Sequence, residues 1–511
     1  MSTLFRGVHL LELDGNRGMS PATDVLVEGD RITAVGPDAA ALAPADAQLI
    51  EGRGKLLMPG LINAHFHSPV NHMKGRLDSL PLEIFMLYES PALEALRPSP
   101  REAYVRTQLA CAEMLKTGVT AVQDDAFFVP EPTTDIIDAV MQAYADSGIR
   151  ATLALDEPNL PELDKLPFLK ELLPTEMRAE LAKPRAFGMR SLLGMYAHLI
   201  SRWHGAEGGR LRAAVSCSAP QRVSTDYFHA LEDLSRSHGL PFYAHMLETK
   251  LQRVLGHERF NGRSLIRYVS DLGLLSERMN IIHAIWVDED DLDLVAAAGS
   301  VIAHNPISNL RLGSGVMPFR AIRQRGIPIC LGTDESIADD AVNMWGVAKM
   351  AGLIHNITGP DYDSWPRASE VLDCLLRGGA RAMGLQDDLG SITPGRLADL
   401  TLVDLDTLPF TPLNDPHRQL VYCESGTSVG LTMVNGRIVF ENARLTTMDE
   451  PALRAEAREL FAARVPTLHA ASKAAERLLP YYRAMYAKAA SSDVGMNRWV
   501  GDADAGHSGR P

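Results

Sequence analysis

The sequence is short of cysteine, of basic charge and of long apolar runs. It holds five cysteines, Cys111, Cys217, Cys330, Cys374 and Cys423, odd in number and scattered, with no CxxC pair. That excludes a disulfide framework and a zinc ribbon, and fits reduced core thiols in the cytoplasm. Net charge is −14 over 511 residues. A nucleic-acid phosphate binder would carry a basic patch or excess, so no nucleic-acid partner is expected. No uninterrupted apolar stretch approaches the ~18 residues of a membrane helix, which excludes a helical membrane partner. The opening MSTLFRGVHLLELDGNRG meets Arg6, Glu12 and Asp14 too early for a secretory apolar core. Solenoid repeats are absent. The expectation is a cytoplasmic globular protein.

What is there is alternation. Eight strand-like runs occupy 56–65, 119–125, 149–156, 211–218, 240–246, 279–285, 299–305 and 327–334. Helical patterns separate most of them, several closed by a glycine placed as a C-cap: Gly118, Gly148, Gly239, Gly299 and Gly326. Strands too apolar to alternate, each followed by a helix, indicate a parallel sheet buried on both faces. Eight such units predict an α/β fold, a (β/α)8 TIM barrel over 56–390. The ends differ. DVLVEGDRITAVGP carries a hairpin signal at Glu28-Gly29-Asp30, and VGLTMVNGRIVFEN one at Asn435-Gly436. Short strands from 1–55 and 391–445 are expected to combine as a small flanking β-sandwich domain. Helices are expected over 446–495 and a disordered tail over 496–511. The connection 157–210 is long enough for a lid over the third strand, and equally for an external helical insertion.

Active sites of such barrels lie at the C-terminal strand ends. GLINAHFHSPVNHMKG places His65 and His67 there, on one face of a strand because strand side chains repeat every second residue. The fifth strand ends with His245, the sixth and seventh carry His283 and His304, and the eighth ends with Asp334. An HxH pair alone is weak, and a lone buried histidine is more often a hydrogen-bonded core residue. Five histidines and a carboxylate at strand ends are hard to explain as packing.

The chain resembles the amidohydrolase superfamily over nearly its whole length, through PGLINAHFH, HMLET, IIHAIW, IAHNPISNLRLGSG and LGTDES. It is most similar to the branch holding S-adenosylhomocysteine deaminase, guanine and cytosine deaminases, and s-triazine hydrolases such as atrazine chlorohydrolase. The resemblance implies metal ligation by His65, His67, His245 and Asp334, with His283 beside the water or substrate and a ligand in some relatives. Three imidazoles and a carboxylate suit one divalent ion per subunit, Zn2+ first and Fe2+ as the alternative. Dinuclear relatives place a bridging lysine on the fourth strand; LRAAVSCS has none, which favours one metal. Glu248, three residues after His245, is placed as a proton shuttle, or as a helix-start carboxylate favoured by the dipole.

The expected reaction follows from these groups. A metal-activated water attacks a C=N carbon of an N-heterocycle, and ammonia or an amine leaves. Asp334 takes the water's proton, Glu248 protonates the ring nitrogen, and His283 steadies the developing charge. A dechlorinating or amide/urea-cleaving hydrolase on the same scaffold is the alternative, and a non-catalytic scaffold homologue a third reading, which loss of ligands would mark. The partner is a small molecule; the family analogy adds a homo-oligomer.

Substrate contacts are open. His304, Asn305, Ser308 and Asn309 could line the pocket, or Asn305-Pro306 could simply turn the loop. Phe85, Met86 and Tyr88 could contact a flat ring, or pack a helix. Glu335 follows the metal aspartate, where nucleoside deaminase relatives carry a small residue; TDESIADDAVNMW is more like the triazine-hydrolase pattern. The acidic cluster there could pair with amino or guanidino donors, with Asp339 or Asp340 capping the next helix.

Overall fold

The computed structural model describes residues 2–14, 18–89, 94–185 and 187–501. Two five-stranded parallel sheets and one nine-stranded, largely antiparallel sheet form its framework. In chain order the parallel strands are β1 (Leu61–His67), β2 (Val119–Ala126), β3 (Arg150–Leu155), β4 (Leu211–Ala213), β5 (Val215–Ser216), β6 (Phe242–Met246), β7 (Met279–His283), β8 (Val301–His304), β9 (Ile329–Leu331) and β10 (Asp334–Glu335). One sheet runs β10-β1-β2-β3-β4, the other β5-β6-β7-β8-β9. Nearly every residue of these strands is buried, because helices cover the outer face and side chains fill the inner one. The sheets meet at two breaks in the chain. At the first, Ala214 N–H donates to Leu153 O (2.8 Å) and Val215 N–H to Pro241 O (2.9 Å). At the second, Gly332 N–H donates to His304 O (3.2 Å). Gly332 is required there: a Cβ would stand 2.6 Å from Asn305 Oδ1 and 2.7 Å from His65 O.

Helix ends follow the local chemistry. The helix Pro100–Lys116 starts with a Ser99/Glu102 capping box, and Glu289–Ala298 with the Asp288/Asp291 equivalent. Gly148, Gly239 and Gly299 close helices in the left-handed region, and Gly118 and Gly326 also have positive φ.

The nine-stranded sheet draws on both chain ends. Its order is Arg444–Leu445, Arg437–Glu441, Val429–Val434, Leu400–Asp404, Lys55–Pro59, Ser2–Leu10, Thr23–Glu28 and Arg31–Val35, with Gln48–Glu51 beside Ser2–Leu10. Both expected hairpins are present, the second with Asn435 and Gly436 at φ 52° and 73°. The expected first barrel strand, 56–65, is two strands. Lys55–Pro59 pairs with Leu400–Asp404 in the nine-stranded sheet and β1 starts only at Leu61. The boundary expected at residue 56 therefore falls inside a flanking strand.

The helices Glu450–Ala475 and Leu479–Ala490 follow the last strand. A disordered tail does not begin at 496: Trp499 Nε1–H donates to Gly313 O (2.9 Å), and Arg498 donates to Val287 O (2.6 Å). The rest of that expectation, 502–511, lies outside the described residues. Among the described residues no helix is long and apolar enough to cross a membrane.

Candidate active site

The C-terminal ends of the parallel strands converge. His65 and His67 leave β1 on one face while Phe66 between them is buried on the other. His245 is the penultimate residue of β6, His283 the last of β7, and Asp334 the first of β10. Ligand-type atoms of His65, His67 and His245 lie within 4.8 Å of one another, as do those of His65, His283 and Asp334.

Three of the rings are oriented from behind. His245 Nδ1–H donates to Ser218 O (2.7 Å), His283 Nδ1–H donates to Asn309 Oδ1 (2.9 Å), and His67 Nδ1–H donates to the Asp125 carbonyl. Each bond fixes the tautomer, so the Nε2 lone pairs are the free ones, which is how metal-ligating histidines are held. Asp334 Oδ1 lies 3.4 Å from Nε2 of both His65 and His67, and its Oδ2 accepts from Ser308 Oγ (2.7 Å). Nε2 of His65 is buried without a hydrogen-bond partner. An orphaned imidazole nitrogen beside two oriented imidazoles and a carboxylate is a donor set that fits a divalent zinc- or iron-type cation.

The charge balance agrees. Burial lowers the His65 pKa to about 4, pushes that of His245 far down, and lowers that of His283. Burial would raise the Asp334 carboxyl, but the neighbouring rings of His65, His67 and His283 together outweigh it and hold it well below the usual range. Against its own burial, His67 is raised to about 10 by Asp334. Neutral His65 and His245 and an ionised Asp334 are in the forms that bind metal, and a cation bound there would replace the proton that Asp334 holds on His67.

Glu248 Oε2 stands 3.5 Å from His283 Nε2, and Oε1 is buried and unpartnered. Burial pushes this carboxyl far above its ordinary range, with Asp334 and Glu83 adding to the effect. The backbone bends sharply here. Ser218, Leu247, His283, Ala284 and Asp334 all have φ between 47° and 74°, and such non-glycine positions cost on the order of 1–3 kcal/mol each.

A cavity of about 560 Å³ opens over these groups, touching His67, His245, Glu248, His283 and Asp334. Glu335 lines it. Five other expected contacts do not line it. Phe85 packs into a core with Val70, Met73 and Ile337, and half-buried Tyr88 packs on the main core. The cavity-facing residues of their helix, Leu82–Glu89, are instead Leu82, Glu83, Met86, Leu87 and Glu89. Asn305 and Asn309 sit behind His283: Asn305 Nδ2 is 3.4 Å from its Nδ1, and Asn309 orients the ring. His304 is also displaced from the cavity, its Nε2 3.2 Å from Nε2 of His355. The insertion contributes Glu157, Leu166 and Phe187 to the cavity wall, and the C-terminal helices add Ala475, Leu478 and Tyr482. Sequence reading missed that last wall, and also missed Asp125 and Asp156 at the ends of β2 and β3. The rule that picked the histidines, attention to strand ends, would have found both aspartates.

The chain is 30% identical over 460 residues to a 5-methylthioadenosine/S-adenosylhomocysteine deaminase of Nitratidesulfovibrio vulgaris, covering 89% of this chain and 96% of the relative. Its structure superposes on an adenosine deaminase of Xanthomonas campestris with bound zinc (26% identity, TM-score 0.78, 91% of this chain and 98% of that one). It also superposes on a triazine hydrolase of Arthobacter aurescens (25% identity, TM-score 0.81, 90% and 99%). These likenesses make the fold α/β of the TIM-barrel type. With residues 56–439 matching the amidohydrolase family, the chain belongs to that family.

Proposed function

We propose that the chain is a metal-dependent aminohydrolase that hydrolyses a C=N carbon of a nitrogen heterocycle and releases ammonia or an amine. The observation that carries the proposal is the gathering of His67, His245 and Asp334 about His65, with Nδ1 of His67 and His245 tied to backbone carbonyls. The relatives named as deaminases support the leaving group.

His65, His67, His245 and Asp334 would hold one ion, zinc or iron. A bound divalent cation lowers the pKa of a water towards ~7. Asp334, steered by Ser308, accepts the water's proton. Glu248 delivers its proton to the ring nitrogen, takes the one on the newly added hydroxyl and passes it to the departing amine, and is recharged by the proton held on Asp334; its buried, unpartnered Oε1 is free for that exchange. His283, fixed by Asn309, presents Nε2 to the attacking oxygen. The absence of lysine from β4 and β5 supports a single ion; Ser216 there donates instead to Asp125 Oδ2 (3.1 Å).

The same reading takes the two parallel sheets as halves of one closed (β/α)8 barrel, because β4 runs into β5 through Ala214 and β9 into β10 through Gly332 and Thr333. It takes the nine-stranded sheet as a small sandwich, because Phe5, Val25 and Ile32 from one part share a core with Leu57, Leu400 and Met433 from the other.

The triazine hydrolase likeness keeps a second leaving group, chloride or alkylamine, within reach of the same residues. The test is product analysis on purified protein over purines, pterins, pyrimidines, triazines and phenylureas. Ammonia from a heterocycle is expected. Chloride or alkylamine alone selects the second reading, and no hydrolysis of any of them by metal-loaded protein rejects both.

A further inference from the structure

A second cavity, of about 50 Å³, lies beside the main one and shares Glu89, Phe127 and Val129 with its wall. The turn Ser68–Met73 and the helices Pro100–Lys116 and Glu450–Ala475 enclose it. Arg106 lines it. Four arginines among the described residues are buried: Arg106, Arg150, Arg210 and Arg253. Arg150 pairs with Asp399, Arg253 pairs with Asp288 and Asp291, and Arg210 donates to the carbonyls of Tyr144, Ala145 and Ile149. Arg106 is the exception. It is 6% exposed, its Nε is buried and unpartnered, and its guanidinium makes no hydrogen bond or ion pair among the described residues.

The carboxylates around Arg106 are committed elsewhere. Asp124 accepts from Ser68 N–H (2.9 Å) and Tyr144 O–H (2.8 Å). Glu102 Oε2 accepts from Ser99 N–H (2.6 Å), and its Oε1 lies 3.3 Å from Arg464 Nε. Glu89 hydrogen-bonds with Glu335. Arg464 brings a second guanidinium to the same cavity, held there by the carbonyls of Leu96 (2.7 Å) and Arg97 (3.3 Å). Burial, and then the positive field of Arg106 and Arg464, keep the His72 ring on this wall from taking a proton.

A buried guanidinium without a partner is costly, and it can only donate hydrogen bonds. Water answers that need poorly here, because a water must also donate and the carboxylates on the wall are already engaged. An anion brings acceptors and the missing charge together. One water needs about 10–15 Å³ of such space, so the cavity has room for only a few heavy atoms.

We propose that this cavity binds one small monovalent anion, a halide or a compact oxyanion such as formate, against Arg106 and Arg464. The bound ion ties the C-terminal helix that carries Arg464 to the helix that carries Arg106. It also reaches the turn after β1, where Asn71 donates to Arg106 O (3.2 Å) and accepts from Ser336 Oγ (2.6 Å), two residues past Asp334. The inference does not depend on the reaction proposed above.

The test uses the full chain loaded with zinc, in sodium gluconate at constant ionic strength, with gluconate exchanged stepwise for chloride or for formate. Melting temperature is expected to rise and saturate with at least one of the two, and the one with the lower half-saturation names the class of ion. Crystals grown in sodium bromide are expected to show an anomalous peak beside Arg106. Arg106→Gln should keep its zinc and bind the ion at least ~10-fold more weakly, as expected for loss of a charged hydrogen-bond partner. That contrast separates this site from a halide on the metal. If Arg106→Gln does not fold, the position of the bromide peak in the wild type decides. Melting that follows neither ion, a bromide peak only at the metal or water alone in the cavity, or an unchanged response in Arg106→Gln would each overturn the proposal.

Discussion

His283 and Asn309 are joined by a hydrogen bond of 2.9 Å from Nδ1–H to the side-chain carbonyl, and this bond decides which imidazole nitrogen faces the reaction. With Nδ1 carrying the proton, Nε2 points at Glu248 Oε2 (3.5 Å) and Asp334 Oδ2 (3.8 Å). Asn309→Leu releases the ring. A fall in kcat of ~10–100-fold is expected, the usual effect of losing a group that orients such a ring, with a displaced pH–rate profile and unchanged metal content. Wild-type kcat and an unmoved profile would show that the bond has no part in the reaction.

Glu248→Gln keeps the shape of the side chain and removes its exchangeable proton. A loss of ~10²–10⁴-fold in turnover is expected for a proton carrier, measured as ammonia release at saturating substrate. Metal per chain should stay at the wild-type level, since Glu248 is outside the ligand set. An undiminished rate contradicts the shuttle role.

Arg150 opens β3 and Asp399 sits just before the strand Leu400–Asp404, so their ion pair ties the barrel-type sheet to the flanking one. It is bidentate, 2.8 and 3.0 Å, with both side chains 2% exposed, and Asn435 Oδ1 accepts a further bond from Arg150 (2.8 Å). Asp399→Ala strands a buried guanidinium. A loss of ~3–5 kcal/mol in unfolding free energy is expected, read from denaturant midpoints. A loss below ~1 kcal/mol would place this pair with ordinary surface pairs.

His72 is half-buried against Phe461, its ring centroid 4.6 Å away. Burial, with Arg106, Arg464 and Arg76 adding to it, holds its pKa down at about 3 against an ordinary 6.5. Between those values the unfolded chain binds the proton and the folded one does not, so folding stability falls as pH drops from 6.5 towards 3. His72→Phe should flatten the acid limb of a melting-temperature series by up to one proton's worth of slope. An unchanged limb would show that His72 is not held neutral.

Much of this site could be read from the chain because strand geometry is simple. A period of two puts His65 and His67 side by side, and consecutive β/α units bring His245, His283 and Asp334 to the same end. Helical faces were harder. In Leu82–Glu89, Phe85 and Tyr88 are the aromatic residues, yet Glu83 and Met86, three apart on the opposite face, meet the cavity; the signal is two glutamates, Glu83 and Glu89, in an otherwise apolar helix. Asn305 and Asn309 had the right neighbourhood and the wrong layer, since a loop residue's direction depends on the turn that carries it. The left-handed backbone at His283, Ala284 and Asp334 has no sequence signature, because tertiary contacts impose it on residues that do not favour it. The wall from the C-terminal helices was invisible for the same reason: an Ala- and Arg-rich helix shows that it forms, not what it covers.

The most direct test of the central claim is metal content measured together with activity on the same sample. One zinc or iron per chain is expected in active protein. Ammonia release should be lost on exhaustive chelation and restored in proportion to the Zn2+ or Fe2+ returned, and His65→Ala/His67→Ala protein should neither hold the ion nor recover. Protein that stays fully active after chelation, or that binds the ion equally well without His65 and His67, would contradict the account.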